Sequence, residues 1–296
     1  MEHPRVTCCL GTWNAADFVE RTLRGLMAQT HEPVEFVVAD DASTDGTFAR
    51  CQSIVGDDPR FRLVRRERNL GWCRNYAALV ADVRTPFVCF AFHDDVVRPT
   101  YLSELVAALQ ANESAVLAYS DLIFGSNDFV PLSGVYTALD CVQDVSARLQ
   151  SLIRMRGSWW IPFRGVMRTS AALRCRECLL VDGPDAFSAD WIWLIDMAME
   201  GEFVRVPQVL YEKHWLRTGA TMTASWRYRD EFALRLRCLR ELRRRRPTGW
   251  PGLCLTTAGE IAILPIRRVA RRIRVAFAKR RSARDASPGA RAGGPA

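Results

Sequence analysis

Two pairs of neighbouring aspartates are the residues of this sequence best suited to chemistry. Asp40-Asp41 and Asp94-Asp95 each come directly after a short apolar run that contains β-branched or aromatic residues. Such a run, ending at turn residues, is typical of a buried strand in a parallel sheet. Because parallel strands present their carboxyl ends at one edge of the sheet, we expect all four carboxylates to meet there.

Four carboxylates at one sheet edge would repel one another unless a cation or hydrogen-bond donors compensate them. A divalent metal ion is a natural compensation, and Mg²⁺ prefers a few carboxylates combined with phosphate oxygens. For Asp40-Asp41 the alternative is a turn rich in aspartate, serine and threonine that caps the following helix. His93, beside the second pair, is expected to be a spectator or a hydrogen-bond donor rather than a metal ligand.

Strand and helix patterns alternate along the first 120 residues. This alternation is typical of βαβ units and predicts a parallel α/β sheet, the layout that would bring the acid pairs to one edge. A further helix is predicted across Asp190 and Trp193, followed by a strand at 203–207. The runs predicted as strands in the first part are 6–10, 34–39, 61–64, 87–92 and 116–119.

Composition indicates a globular protein of one large domain, with or without an appendage. The chain has 296 residues, of which 49% are hydrophobic and 25% are charged. Its net charge of +8 comes largely from arginines after about Arg227, which indicates a basic C-terminal appendage rather than a general nucleic-acid surface. No signal-peptide pattern and no long apolar stretch occur, and ten cysteines without a secretion signal suggest reduced thiols in the cytoplasm.

Several short motifs, in this order, resemble those of the family 2 glycosyltransferases. No single motif is specific, but together they are, and they extend over about residues 4–223. The motifs are Thr12-Trp13-Asn14, Gln29-Thr30, the run DDASTDGT at 40–47, Asn69-Leu70-Gly71, Asp94-Asp95, the run SADWIWL at 188–194 and the run GEFVRVPQVLY at 201–211.

The resemblance implies a GT-A fold, which is a mostly parallel, Rossmann-like α/β sheet flanked by helices, here with a helical basic C-terminal appendage. The GT-A domain would occupy residues 1–225, with a nucleotide-binding half at 1–120 and an acceptor-side half at 121–225. A basic helical extension would follow at 226–281, and the polar composition of 282–296 predicts a disordered tail.

The implied activity is that of an inverting, hexosyltransferase-type enzyme assisted by Mg²⁺ or Mn²⁺. Its donor would be a nucleotide sugar, with UDP as the expected nucleotide, and its acceptor would be the hydroxyl of a glycan or a lipid-linked molecule. A metal ion would neutralise the departing nucleoside diphosphate, and a carboxylate would remove the proton of the attacking hydroxyl.

The resemblance also assigns roles to particular residues. Asp190 is implied as the general base, and its alternative role as a first-turn acid that caps a helix is compatible with catalysis. Asp95 and Asp94 are implied as metal ligands, with His214 as a further candidate. The residues implied to bind the nucleotide are Thr12, Trp13, Asn14, Asp40, Asp41, Arg74 and Asp94.

Aromatic residues on the acceptor side form a candidate sugar-binding wall, since aromatic rings pack against the apolar faces of sugars. Packing in the core is the alternative for these rings. Lys213-His214 and Arg217 follow in a loop-like stretch that could reach the diphosphate or the metal, and a solvated loop is the alternative. The residues of the candidate wall are Trp159, Trp160, Arg164 and Trp191.

Two positions depart from the pattern of the family. Phe92 stands where the family often has the first aspartate of an Asp-x-Asp motif, and Ala189 stands where a glutamate commonly precedes the base. Without that glutamate, any rise in the pKa of Asp190 must come from burial against Trp191 and Trp193. The departures keep open the alternative of a catalytically inactive module that binds nucleotide sugars.

The segment 266–281 has apolar residues on one helical face and arginines over much of the rest. This pattern is typical of a helix on an anionic membrane surface, where each basic residue adds about 1 kcal/mol. We therefore expect a cytoplasmic protein, peripheral at the inner membrane face, that acts in surface polysaccharide synthesis. A helix that docks on its own domain or a second copy is the alternative. Nucleic-acid binding by the arginines is disfavoured because no aromatic residues are interleaved at base-stacking spacing.

Overall fold

The computed structural model of the chain describes residues 4–125, 132–155, 157–181, 186, 189–214 and 228–266. In that part of the chain the strands belong to one sheet. Their bounds are β1 (Val6–Thr12), β2 (Val34–Asp40), β3 (Phe61–Arg65), β4 (Phe87–Phe92), β5 (Val96–Val97), β6 (Ala115–Gly125), β7 (Leu132–Gly134), β8 (Val166–Arg168) and β9 (Glu202–His214).

The order of the strands across the sheet is β3-β2-β1-β4-β8-β6-β9-β5, with β7 paired to β6 outside this path. Strands β3, β2, β1 and β4 are parallel, as are β6 and β9. β8 is antiparallel to both of its neighbours, and β5 is antiparallel to β9. The prediction of a mostly parallel α/β sheet with acid pairs at the ends of two strands is therefore confirmed.

Nine α-helices and two short 3₁₀ helices accompany the sheet in the described residues. Every residue of β1 is buried, and so is most of β2 and β4, which explains their nearly continuous apolar sequences. The helices are α1 (Val19–Met27), α2 (Thr47–Val55), α3 (Trp72–Asp82), α4 (Tyr101–Ala111), α5 (Val145–Ile153), α6 (Thr169–Cys175), α7 (Ala189–Glu200), α8 (Tyr228–Arg245) and α9 (Trp250–Ala262), and the 3₁₀ helices are Ile161–Arg164 and Arg176–Leu179.

The described part of the basic extension packs on the same core as the sheet. Helices α8 and α9 contact α7 and α5, and the α8 residues Leu234 and Cys238 belong to the common apolar core. Arg235 is completely buried there, where its Nη1 donates a hydrogen bond of 2.8 Å to the carbonyl of Ile153. The predicted boundary near residue 226 stays a prediction, and so does the nature of the extension beyond Ile266.

No helix in the described ranges is both long enough and apolar enough to cross a membrane. Most of the predicted amphipathic segment at 266–281 and the whole tail at 282–296 lie outside the described residues. At the end of the described chain, α9 and the residues after it expose the apolar side chains of Leu255 and Ile266.

Asp196 is a buried acid in the interface between α7 and α8. Within the described residues its Oδ1 accepts no hydrogen bond, and burial, reinforced by the charge of Glu241, raises its pKa to about 6. A carboxyl group whose pKa is raised by folding favours the folded state when protonated. The stability that it contributes is therefore present below about pH 4 and is lost as the pH rises through about 6.

We expect Asp196→Asn to raise the free energy of unfolding at pH 7.5 by about 1–3 kcal/mol, because the neutral amide avoids the cost of the buried charge. The gain should shrink towards zero as the pH is lowered to 4.5. Denaturant unfolding of both proteins at the two pH values measures this difference. A variant that is less stable than the wild type at pH 7.5 would contradict the assignment.

Candidate active site

Asp40, the last residue of β2, is held in a turn formed by its own neighbours. Its Oδ1 accepts hydrogen bonds from the hydroxyls of Ser43 and, at 3.3 Å, Thr12, and its Oδ2 accepts one of 3.1 Å from the Ser43 amide. For this residue the structure shows the aspartate-rich turn that the sequence left open as an alternative. Its predicted contact with the nucleotide base stays a prediction.

Asp41 fixes the turn that begins α3. Its Oδ1 accepts a 2.8 Å hydrogen bond from the amide of Leu70, and its Oδ2 accepts one of 2.9 Å from the amide of Gly71. Gly71 has φ of 80°, a conformation that favours glycine. Burial raises the pKa of Asp41, although these two bonds oppose the rise. Asp41 therefore joins the first acid pair to the start of α3, where Arg74 lies exposed.

The loop after β1 presents an aromatic ring to solvent beside this turn. Trp13 is 48% exposed, whereas Thr12 is buried. Asn14 adopts a positive φ of 46°, and its Oδ1 accepts a 3.0 Å hydrogen bond from the amide of Thr44. The loop is thus tied to the turn after Asp41, and its Trp13 ring is available as a stacking surface for a nucleotide base.

Asp95 is the centre of a buried polar cluster at the end of β4. Its Oδ2 accepts hydrogen bonds from the Tyr211 hydroxyl at 2.8 Å and from Arg164 Nε at 3.3 Å. Its Oδ1 accepts one of 3.0 Å from the amide of His214, and Lys213 Nζ lies 3.7 Å away. Two cations therefore compensate this carboxylate, and the structure brings the predicted residues of β4 and β9 together.

Asp94 is the accessible acid of the second pair. It is partly exposed, and within the described residues its carboxylate makes no hydrogen bond or ion pair with another side chain. No three His, Cys, Asp or Glu side chains of the described chain converge as a metal site, and Nε2 of His214 lies 2.8 Å from Glu212 Oε1. One free carboxylate fits Mg²⁺ or Mn²⁺ where phosphate oxygens complete the ligands.

Asp190 lies in the first turn of α7. Its Oδ1 accepts a 2.8 Å hydrogen bond from the amide of Trp191, so it also acts as a helix-terminal acid. Burial raises its pKa to about 6, against the opposing charges of Arg164 and Lys213. Since both cations also contact Asp95, Asp190 and Asp95 share the same two cationic neighbours. A carboxylate with this pKa is suited to general-base work near neutral pH.

Arg164 contacts Asp95 and packs between two aromatic rings. Its guanidinium lies 4.8 Å from the ring centroids of both Phe92 and Trp160, and its side chain is 12% exposed. Trp159 and Trp160 are partly exposed, as a sugar-binding wall requires.

Trp191 corrects the predicted composition of that wall. It is completely buried, and its Nε1 donates a 2.8 Å hydrogen bond to the carbonyl of Leu152. The guanidinium of Arg235, from α8, lies 5.8 Å from its ring centroid. The prediction that this ring lines the cleft is wrong because α5 and α8 cover it, and its alternative as a core residue is what the structure shows.

Two residues near the acid pairs, the exposed Trp72 and the buried Tyr211, are absent from the sequence-based assignments. Trp72 begins α3 with 36% of its surface exposed, and its ring meets that of Phe163 edge-on at 6.3 Å. This contact connects the turn held by Asp41 to the segment that carries Arg164. Tyr211 was part of a motif, but its hydrogen bond to Asp95 required the fold. The sequence signal for Trp72 is its position directly after the Asn-Leu-Gly turn.

Residues 7–165 match the family model described as Glycosyl transferase family 2, which is more than half of the chain. The succinoglycan biosynthesis protein ExoO of Rhizobium meliloti is 33% identical over 131 residues, which are 44% of this chain and 35% of that protein. The teichuronic acid biosynthesis glycosyltransferase TuaG of Bacillus subtilis, a putative assignment, is 29% identical over 131 residues, or 44% of this chain and 51% of that protein. The chain thus spans about a third to a half of these relatives.

Solved structures share the fold at low sequence identity. TarS of S. aureus in complex with UDP-GlcNAc matches with a TM-score of 0.60 and 14% identity, over 78% of this chain and 66% of that one. The mannosyltransferase PcManGT of Pyrobaculum calidifontis, in complex with GDP-Man and Mn²⁺, matches with a TM-score of 0.55 and 18% identity, over 94% and 81%. These similarities confirm the predicted GT-A fold, and with the family match they show that the chain is a family 2 glycosyltransferase.

Proposed function

We propose that this chain is an inverting glycosyltransferase that moves a sugar from a nucleoside diphosphate to the hydroxyl of a glycan or a lipid-linked acceptor. The observation that carries the proposal is that Arg164 and Lys213 contact Asp95 and also act on the pKa of Asp190. A base for the acceptor, near cations that can bind the leaving diphosphate, is what a single displacement at an anomeric carbon requires.

In the proposed mechanism, Asp190 accepts the proton of the acceptor hydroxyl as its oxygen attacks the anomeric carbon. The raised pKa leaves the carboxylate ionised at neutral pH but basic enough to take the proton in the transition state. The hydrogen bond from the amide of Trp191 to Oδ1 orients the carboxylate and leaves Oδ2 for the acceptor. A single displacement from the face opposite the leaving group inverts the carbon.

The proposed metal ligand is Asp94, together with phosphate oxygens of the donor. Mg²⁺ or Mn²⁺ at this position would neutralise the charge that develops on the departing diphosphate. The neighbouring carboxylate of Asp95 would act differently from the implied ligand role, because it already holds Arg164 and Lys213. Asp95 would then position cations of the protein beside the same diphosphate.

The donor is proposed to be a UDP-sugar, with its base against Trp13 and the turn held by Asp41. The solved neighbours support a nucleotide-sugar donor in general, since one is in complex with UDP-GlcNAc and another with GDP-Man. The exposed Trp13 ring offers a stacking surface to either base, and the buried carboxylates of Asp40 and Asp41 are already bonded within the protein.

We further propose a role in surface polysaccharide synthesis at the inner face of the cytoplasmic membrane. The names of ExoO and TuaG refer to succinoglycan and teichuronic acid biosynthesis. The exposed Leu255 and Ile266 precede the arginine-rich sequence at 267–281, a combination suited to an anionic lipid surface. Binding to vesicles that contain anionic lipid, measured with and without residues 267–296, tests this placement.

A catalytically inactive nucleotide-sugar-binding module is the second candidate, and Phe92 is the observation that favours it. Hydrolysis of a nucleotide sugar without acceptor would count against an inactive module, because it requires a working leaving-group site. The Asp190→Asn variant serves as the control, since it lacks the proposed base but keeps Arg164 and Asp94 of the proposed leaving-group site.

The proposal predicts that a nucleoside diphosphate or its sugar conjugate stabilises the folded chain. In a thermal-shift screen of UDP, GDP and their hexose conjugates with MnCl₂, one base should raise the melting temperature by several degrees, because a ligand selective for the folded state stabilises it. The matching nucleoside monophosphate is the control and should give a smaller shift. If no conjugate shifts the transition or is hydrolysed, the proposed function is wrong.

A further inference from the structure

Arg164 is held as a preorganised cation in the cleft. Phe92 and Trp160 each face its guanidinium at 4.8 Å, and Asp95 accepts a 3.3 Å hydrogen bond from its Nε. Tyr101 also fixes its backbone by donating a 2.5 Å hydrogen bond to its carbonyl. Stacked rings hold the plane of a guanidinium without using its N–H groups.

Most of the hydrogen-bonding capacity of Arg164 is unused. A guanidinium has five N–H donors, and within the described residues only the Nε of Arg164 makes a hydrogen bond. The side chain is 12% exposed, so the cation borders the cleft instead of being sealed in the core. Its two Nη groups form a planar fork, which matches the oxygens of a phosphate group.

Two cations lie beside the carboxylate of Asp95. Arg164 and Lys213 both contact it in a largely buried cluster, and the charges of Asp190 and Asp94 also act on Arg164. A cation at a site with little water interacts with an anion more strongly than it would on the surface. The positive charge of Arg164, whose Nη groups are not used within the described residues, therefore offers attraction to an anion that enters beside Asp94.

Phe92 explains why this charge persists. A carboxylate at position 92, which the resemblance would lead one to expect, would lie against the guanidinium of Arg164 and neutralise it. The phenylalanine ring packs on the guanidinium and adds no negative charge. Phe92 therefore both holds the guanidinium of Arg164 in place and leaves its positive charge available to a ligand.

We propose that Arg164, held by Phe92, Trp160 and Asp95, binds the diphosphate of the donor directly, so that this chain retains nucleoside diphosphate without a divalent cation. The inference rests on the proposed function, because it concerns the donor of that reaction. It assigns the protein's own cations part of the charge neutralisation for which the metal at Asp94 was proposed, and it makes Phe92 a determinant of metal dependence.

The test compares the dissociation constants of UDP and GDP in EDTA and in MnCl₂ at fixed ionic strength, by titration calorimetry. For the preferred nucleotide, we expect the wild-type affinity in EDTA to lie within about tenfold of that in MnCl₂, a difference of about 1.4 kcal/mol or less. Arg164→Gln should lose about tenfold or more in EDTA and less in MnCl₂. Phe92→Asp keeps the arginine but adds a charge, so it should likewise weaken binding in EDTA and increase the dependence on Mn²⁺.

Arg205→Gln is the matched control, because Arg205 is also a largely buried arginine paired with an aspartate. Its Nε and Nη2 both bond Asp121, at 2.8 and 2.6 Å, so its charge is already used. This variant should leave the ratio of the two affinities unchanged even if it loses stability. The inference would be overturned if the wild type bound nucleotide only with Mn²⁺, or if Arg164→Gln lost the same affinity in EDTA and in MnCl₂. Either result would leave the proposed function standing. Absence of any nucleotide binding by the wild type would overturn the proposed function with it.

Discussion

Asp190→Asn is expected to reduce glycosyl transfer by about 10²–10⁴-fold, the range that a positioned general base contributes. The amide keeps the size of the side chain but cannot accept the proton of the acceptor hydroxyl. Because Asp190 contacts neither Asp94 nor the turn held by Asp41, nucleotide binding should change little. Steady-state transfer rates and nucleotide dissociation constants measured on the same preparation separate the two effects.

The pH dependence of the wild type gives a second view of the same residue. Burial raises the pKa of Asp190 to about 6, and the active form of a general base is the ionised one. The rate should therefore rise about tenfold per pH unit below about 6 and level off above it. Asp196→Asn is the matched control, since Asp196 is an acid of the same helix with its pKa raised to a similar value. An Asp190→Asn variant with near wild-type turnover would refute the base assignment.

Asp94→Asn and Asp95→Asn are both expected to lose transfer activity, but for different physical reasons. Asp95→Asn removes the carboxylate that Arg164 and Lys213 both contact, and breaking a buried ion pair costs about 3–5 kcal/mol in comparable cases. That variant should be strongly destabilised and inactive. Asp94 has no such partners among the described residues, so Asp94→Asn should keep its stability but lose transfer and most of the gain in nucleotide affinity that Mn²⁺ provides.

Denaturant unfolding and nucleotide titrations with and without MnCl₂ distinguish the two variants. The opposite pattern would contradict the roles assigned to the pair. If Asp95→Asn kept its stability but lost the effect of Mn²⁺, Asp95 would be the metal ligand and its contacts with Arg164 and Lys213 would be incidental.

The fold was largely predictable because its central strands carry their own signal. β1, β2 and β4 are short apolar runs buried on both faces, and two of them end in acid pairs that only a sheet edge can accommodate. β8 and β5 were less predictable. Each has three residues or fewer, and their antiparallel pairing depends on distant partners, β4 and β6 for one and β9 for the other.

The site was predictable in position but less so in chemistry. Residue spacing does not reveal that Asp95 is enclosed by Arg164, Tyr211 and the amide of His214, because these lie 69, 116 and 119 residues further along the chain. Trp191 shows the same limit. An aromatic residue next to the proposed base can line a cleft or pack in the core. Here the ring of Trp191 packs against Arg235 of α8 and is buried in the core.

Arg164 shows that the spacing of residues in the sequence does not reveal which side chains meet in the fold. In the sequence it is one residue of an aromatic-rich stretch and was assigned to a sugar-binding wall. In the fold it packs between Phe92 and Trp160 and contacts Asp95, the arrangement from which we propose that it binds the diphosphate. Its assignment follows from charge and hydrogen-bond capacity, neither of which residue spacing reports.

The most direct measurement is a crystal structure of the Asp190→Asn variant with the preferred nucleotide sugar bound, because this variant should bind the donor without transferring its sugar. We expect the diphosphate to lie beside Asp94, an Nη atom of Arg164 to lie about 3 Å from a phosphate oxygen, and residue 190 to face the anomeric carbon from the other side. A donor bound with its anomeric carbon turned away from residue 190, or on a surface remote from Arg164, would contradict this expectation.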